Sequence, residues 1–191
     1  MEDSETDVGY GWLDHPTVVM GDTLGLNLLT PGADSLPTSL LEDGNLHANP
    51  TLSPDGRWVA YATPVNGEPR IFVRPFPDVQ SGRYPVSDGE GREPRWSKDG
   101  RELLYVRGTA TGLVELMAAT VRLEPDFAVE SREVLFATQR GIFQLGDGWS
   151  YDVDQTGDRF VVIRFRIDLP EVTGHVLVEN FLQELREKME G

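Results

Sequence analysis

The chain has 191 residues, a net charge of −15 and 39% hydrophobic residues, with 20 glycines, 13 prolines and no cysteine. That length is enough for one sizeable domain with a real core, while the absence of cysteine excludes disulfides, zinc thiolate sites and a cysteine nucleophile. The negative charge disfavours non-specific attraction to nucleic acid or anionic membrane, and no run of 18 apolar residues is present to span a bilayer.

Residues 1–8 read as a disordered acidic lead: Met1 to Asp7 lacks the basic start and apolar core of a signal peptide. This gives a soluble chain of undetermined compartment. Residues 9–44 read as four short strands, Gly9–Trp12, Thr17–Met20, Leu24–Leu29 and Leu36–Leu41, with Asp14-His15-Pro16 where a turn belongs. In residues 45–90 the strands are His47–Leu52, Trp58–Thr63, Arg70–Arg74 and Tyr84–Ser87. The Asn66-Gly67 pair predicts a tight hairpin, and Pro75 and Pro77 close the third strand because neither can donate to a ladder.

In residues 91–138 the predicted strands are Glu93–Trp96, Glu102–Val106, Leu113–Val121 and Glu133–Phe136. Leu103 and Tyr105 alternate with Leu104 and Val106, so this strand has no polar side and must be buried on both faces. Residues 139–191 begin with an insertion at 139–148 carrying Ile142, Phe143 and Leu145. Strands at Ser150–Val153, Arg159–Phe165 and His175–Val178 follow, then a short amphipathic helix in which Phe181, Leu182, Leu185 and Met189 share a face.

One pattern organises these elements. Ser53-Pro54-Asp55-Gly56-Arg57 is written again as Ser97-Lys98-Asp99-Gly100-Arg101, and in worn form around Gly157. A strand-rich repeat of ~40–45 residues is the mark of a propeller blade. The Asp-Gly pairs invite a metal or catalytic reading, but a turn accounts for every residue in them. The fold expected is all-β: about four four-stranded blades of a partial or truncated β-propeller, with a short C-terminal helix. The runs Ser53–Tyr61, Ile71–Pro77, Glu93–Tyr105 and Ser150–Ile163 resemble the WD-type repeats of TolB-like propellers. With the weaker His175–Leu185 they most resemble the propeller that ends many bacterial serine/threonine protein kinases. That resemblance implies a periplasmic or other extracytoplasmic setting when the propeller is attached to a membrane kinase.

No catalytic constellation is legible. His15, His47 and His175 are far apart, there is no Gly-x-Ser-x-Gly elbow and no phosphate loop, and the kinase motifs are absent. The expectation is therefore a non-catalytic binding or scaffold module without cofactor or metal, related to a kinase-like system. The alternative is the accessory propeller of a hydrolase or peptidase whose catalytic domain lies elsewhere. Propellers bind through the channel mouth, and Arg95, Trp96, Trp149, Tyr151 and Asp152 on the inner strands are the candidates for that region. Trp96, like Trp58 in the matching strand, has a second reading as core between blades. Asp152 and Asp154 alternate on one strand face, which admits a divalent ion as the weaker reading. A protein or small-molecule ligand is expected at the mouth. Three good blades and a poor one leave apolar end faces, so a homodimer through open blade faces is a further expectation.

Overall fold

The structure is a computed structural model and describes residues 10–12, 18–22, 24–29, 36–139, 149–153, 160–164 and 174–178. The acidic lead, the 14–16 turn, the 140–148 part of the insertion, Asp154 and its turn, and the C-terminal helix lie outside the described residues. What is described is all-β, in antiparallel sheets whose strands follow chain order. The first sheet holds β1 (Tyr10–Trp12), β2 (Val18–Gly21), β3 (Gly25–Leu29) and β4 (Thr38–Glu42). The second holds β5 (Ala48–Leu52), β6 (Trp58–Val65), β7 (Glu68–Pro75) and β8 (Tyr84–Pro85). The third holds β9 (Arg92–Trp96), β10 (Glu102–Gly108), β11 (Leu113–Arg122) and β12 (Ala128–Gln139). The fourth holds β13 (Tyr151–Val153), β14 (Phe160–Arg164) and β15 (Gly174–Val178).

The sheets stack face to face, and the period-two alternation of each central strand feeds two apolar layers at once. In β6, Val59 and Tyr61 join Val19, Leu26 and Leu41 of the first sheet, whereas Ala60 and Ala62 join Leu103, Tyr105 and Met117 of the third. In β10, Leu104 and Val106 turn the other way, onto Tyr151, Phe160 and Val162 of the fourth. Each large aliphatic side chain buried here is worth about 1.5–3 kcal/mol. No sheet could recover that alone, because each central strand leaves half its apolar residues bare without a neighbour.

The repeated Asp-Gly segments are twin turns. Ser53 Oγ donates to Asp55 Oδ1 at 2.5 Å and Ser97 Oγ to Asp99 Oδ1 at 2.8 Å. The amides of Trp58 and Glu102 donate back to those serine hydroxyls at 3.0 and 2.9 Å. Gly56 and Gly100 supply the left-handed φ of 67° and 70° that closes each turn. The aspartates are thus consumed by local bonds. That of Asp99 is held below the usual carboxylate range, first by the Arg101 amide and then by the Ser97 hydroxyl.

Most strands differ by a residue or more from the sequence reading, and in two of them the physical reason is plain. β8 stops at Pro85 instead of running to Ser87, because Pro85 has no N–H and Ser87 uses its hydroxyl instead, accepting from the Ile71 amide at 3.0 Å. β12 begins at Ala128, well before Glu133, and two β-bulges against β11 keep the long outer strand in register. Its outward residues are charged, so apolar alternation could not reveal it.

Two glycines fix the approach of segments around the first sheet. A Cβ on Gly21 would lie 1.8 Å from the His47 carbonyl oxygen, and one on Gly25 1.7 Å from that of Leu41. Both obstacles are backbone and cannot swing away. Gly67, at φ 84°, meets nothing within 4 Å. Gly67→Ala should therefore cost only the left-handed penalty of about 1–2 kcal/mol. Gly21→Ala should cost about 3 kcal/mol or more. Urea denaturation of the two variants checks this, and equal losses would show that the close approach at Gly21 is not a constraint.

Candidate functional site

The inner strands β5 and β9 share an irregularity that sets the site. Both contain a β-bulge, at Asn49 and Glu93, where φ is 51° and 55°. These are matching positions of the repeat, each followed by proline (Pro50, Pro94). A bulge re-aims its side chain, and here it sends the Glu93 carboxylate out of the third sheet towards the fourth. Glu93 Oε2 accepts from both the amide and the hydroxyl of Ser150, each at 2.7 Å. The Tyr151 hydroxyl donates to the Glu93 carbonyl oxygen at 2.9 Å.

This seam is dry. Glu93 is 1% exposed and Tyr151 2%. Among the described residues, Glu93 Oε1 has no hydrogen-bond partner, nor has Asn49 Nδ2 on β5. Burial pushes the Glu93 carboxyl up, against the lowering effect of the Ser150 bonds and of Arg95 and Arg92. Burial likewise raises the Tyr151 phenol, and the neighbouring Glu93 adds to it.

Beside this buried lock lies a partly exposed one. Arg95 pairs with Leu104 in the sheet and so faces the fourth sheet. Its guanidinium carbon sits 3.6 Å from the centroid of the Trp149 ring, a cation–π stack. Its Nε is 3.8 Å from Asp152 Oδ1, close enough for charge attraction but too long for a hydrogen bond. The side chain of Arg95 is 24% exposed and that of Asp152 66%. Arg95, Trp149 and Asp152 therefore form one cluster across the third and fourth inner strands.

Trp96 and Tyr151 do not belong to that exposed cluster. Strand alternation turns Trp96 to the opposite face from Arg95, into the layer against the second sheet, where its indole N–H donates to the Thr51 carbonyl oxygen at 3.3 Å. Tyr151 is core between the third and fourth sheets. Trp58 packs edge-on to Tyr84 and tilted against Phe127 in the layer between the second and third sheets. Sequence reasoning did not single out Glu93, Ser150 or Asn49. The available signal was a polar residue before proline at the same point of two repeats.

Among the described residues, no group of three His, Asp or Glu side chains is placed to hold a metal ion. Asp152 has a guanidinium beside it, which repels a cation. Among the described residues, no helix is long and apolar enough to cross a membrane.

No protein-family model matches the chain. No curated protein matches it either. Solved structures do. The crystal structure of TolB from Acinetobacter baumannii is similar over 94% of this chain and 42% of its own, with a TM-score of 0.66 and 11% identity. The Nidogen/Laminin complex is similar over 84% of this chain and 57% of its own, at TM-score 0.62 and 12% identity. A prolyl endopeptidase structure is similar over 88% of this chain and 29% of its own, at TM-score 0.53 and 17% identity. The chain thus spans less than half of the TolB chain it matches. The fold is that of a TolB-like β-propeller.

The bare Oε1 of Glu93 makes a test of the buried lock. A glutamine at 93 keeps an acceptor for Ser150 and removes the desolvated charge. Because the folded-state pKa is raised, the contribution of Glu93 is fully present below about pH 4.5 and is lost as the pH rises through the folded value. Glu93→Gln should stabilise the protein by about 1 kcal/mol at pH 7. The advantage should vanish in denaturation curves below pH 4.5. A variant less stable than the parent at pH 7 would mean that the ionised carboxylate is the favoured form.

Proposed function

We propose that this chain is a non-catalytic binding module: four blades of a β-propeller whose third and fourth inner strands present a docking surface to a protein partner. The observation that carries this reading is the preorganised Arg95. Its guanidinium sits over the Trp149 ring beside a carboxylate exposed by two thirds, 66%. Arginine and tryptophan locked together at a surface lose little side-chain freedom on association, which is the usual chemistry of a binding hot spot. The net charge of −15 favours a partner with a basic face and opposes nucleic acid.

Within this reading the propeller is the sensory or protein-interaction part of a kinase-like system. The support for that finer assignment is the pattern of the repeat itself, from Pro94-Arg95-Trp96-Ser97 to Gly100. A second reading, the accessory propeller of a peptidase, draws support from the prolyl endopeptidase likeness, which is one of fold. Neighbouring coding sequence separates the two: a kinase domain with a membrane helix favours the first, a Ser-Asp-His hydrolase domain the second.

A photo-crosslinking residue placed at Asp152 tests the docking surface directly. The same probe at Leu36, 77% exposed in the segment just before β4, is the control. Irradiated in lysate, the Asp152 probe should give a discrete adduct that the Leu36 probe does not. With the captured partner purified, Arg95→Ala should weaken binding by about tenfold. It should change folding stability by less than about 1 kcal/mol. Equal adducts from both positions, or undiminished binding by Arg95→Ala, would remove this surface from consideration.

A further inference from the structure

The seam between the first and second sheets is built around a histidine. His47 stands at the end of the segment that joins β4 to β5, and it is 1% exposed. Its amide donates to the Asp22 carbonyl oxygen at 3.0 Å, and its own carbonyl is the group that leaves no room for a side chain at Gly21. Its ring meets Tyr61 edge to face, with centroids 4.6 Å apart. The two ring nitrogens differ. Nε2 lies 2.8 Å from Asp43 Oδ1, whereas Nδ1 is buried with no hydrogen-bond partner among the described residues.

The neutral ring fits this site and the protonated ring does not. With its proton on Nε2, His47 donates to Asp43 and leaves only a bare lone pair on Nδ1. A second proton would make Nδ1 a buried donor without an acceptor. It would also add a cation beside two others. Arg74 of β7 donates its Nε to the Tyr61 hydroxyl at 2.8 Å, and Arg83, just before β8, lies over the Phe72 ring at 3.7 Å. Asp43, whose side chain is 28% exposed, is the opposing charge. The Asp22 carboxylate of the first sheet is taken up by the amides of Leu24 and Gly25 and by the Asn27 side chain. Burial accordingly pushes the His47 imidazole down, with Arg74 and Arg83 adding to it, against the raising effect of Asp43.

We infer that the seam between the first and second sheets is an acid-sensitive latch, in which protonation of His47 releases the first sheet while the other sheets stay stacked. In the released state the ring returns to its ordinary value near 6.5. In the closed state its proton affinity is lower. The closure is therefore at full strength above pH 6.5 and weakens as the pH falls through that value, by up to about tenfold per pH unit. Burial works to raise the Asp43 carboxyl, but its bonds to His47 and Asn45 outweigh that and hold it below the usual carboxylate range, so the opposing charge stays in place across this interval.

Hydrogen exchange read by mass spectrometry on the whole chain tests this, with rates corrected against an unstructured peptide at each pH. Between pH 7.5 and 5.0, peptides from β2 to β4 should lose protection by about tenfold or more. Those from β10 to β12 should not. His47→Gln, whose amide can still donate to Asp43 but cannot titrate, should abolish the dependence. Asp43→Asn, which keeps the acceptor and removes the opposing charge, should enlarge the loss at pH 5.0. Protection that does not change with pH would overturn the inference. So would parallel loss in β10 to β12, or a dependence that survives in His47→Gln. If that variant does not fold, an unaltered loss in Asp43→Asn does the same.

Discussion

Everything in this molecule depends on central strands that are apolar on both sides. A strand such as β10, with Leu103 and Tyr105 on one face and Leu104 and Val106 on the other, cannot rest against solvent on either. It forces a sheet before it and a sheet after it. The turns, glycines and inner-strand bulges are answers to that requirement, because stacked sheets must be joined by short connections and held in register by something other than grease. The polar contacts at the seams supply the register: Glu93 with Ser150, Trp96 with Thr51, and His47 with Asp22.

The same seams carry the chemistry of interest. Glu93 and His47 are both nearly inaccessible, and each has one polar atom without a partner among the described residues. A packed apolar layer would be more stable without them. Their presence exchanges stability for specificity at one seam and couples closure to protons at the other. The Arg95–Trp149–Asp152 cluster differs, since it lies across the edge of a seam and part of it stays in water. Partial exposure is what suits it to the docking role proposed for it rather than to that of another lock.

Much of the fold was legible in the chain because the repeat is written in residues with fixed conformational meaning. Ser53-Pro54-Asp55-Gly56 and Ser97-Lys98-Asp99-Gly100 can hardly be anything but turns, and double-sided apolar runs follow them at once. β12 was less legible, since an outer strand with charged outward residues carries no alternation. In the site, Arg95, Trp149 and Asp152 were readable as inner-strand residues, and the structure brings them together. Tyr151 read the same way in sequence, yet it is buried, because parity near a bulge is not visible in a string of letters; Trp96 also carried a reading as core between blades, and the structure places it there. Glu93 was hidden for the same reason: only the bulge explains why a glutamate is inside.

The buried seam bonds share a direction. In each, the later sheet donates and the earlier sheet accepts: His47 N–H to Asp22, the Trp96 indole to Thr51, and Ser150 and Tyr151 to Glu93. Through these buried bonds the second and third sheets each have an accepting side and a donating side. A tandem copy of either of these sheets sets a donating side against an accepting one, whereas inverting one sets acceptor against acceptor. Architectures of this kind can change length by duplication or loss of whole units within a gene without redesign of the boundary between them.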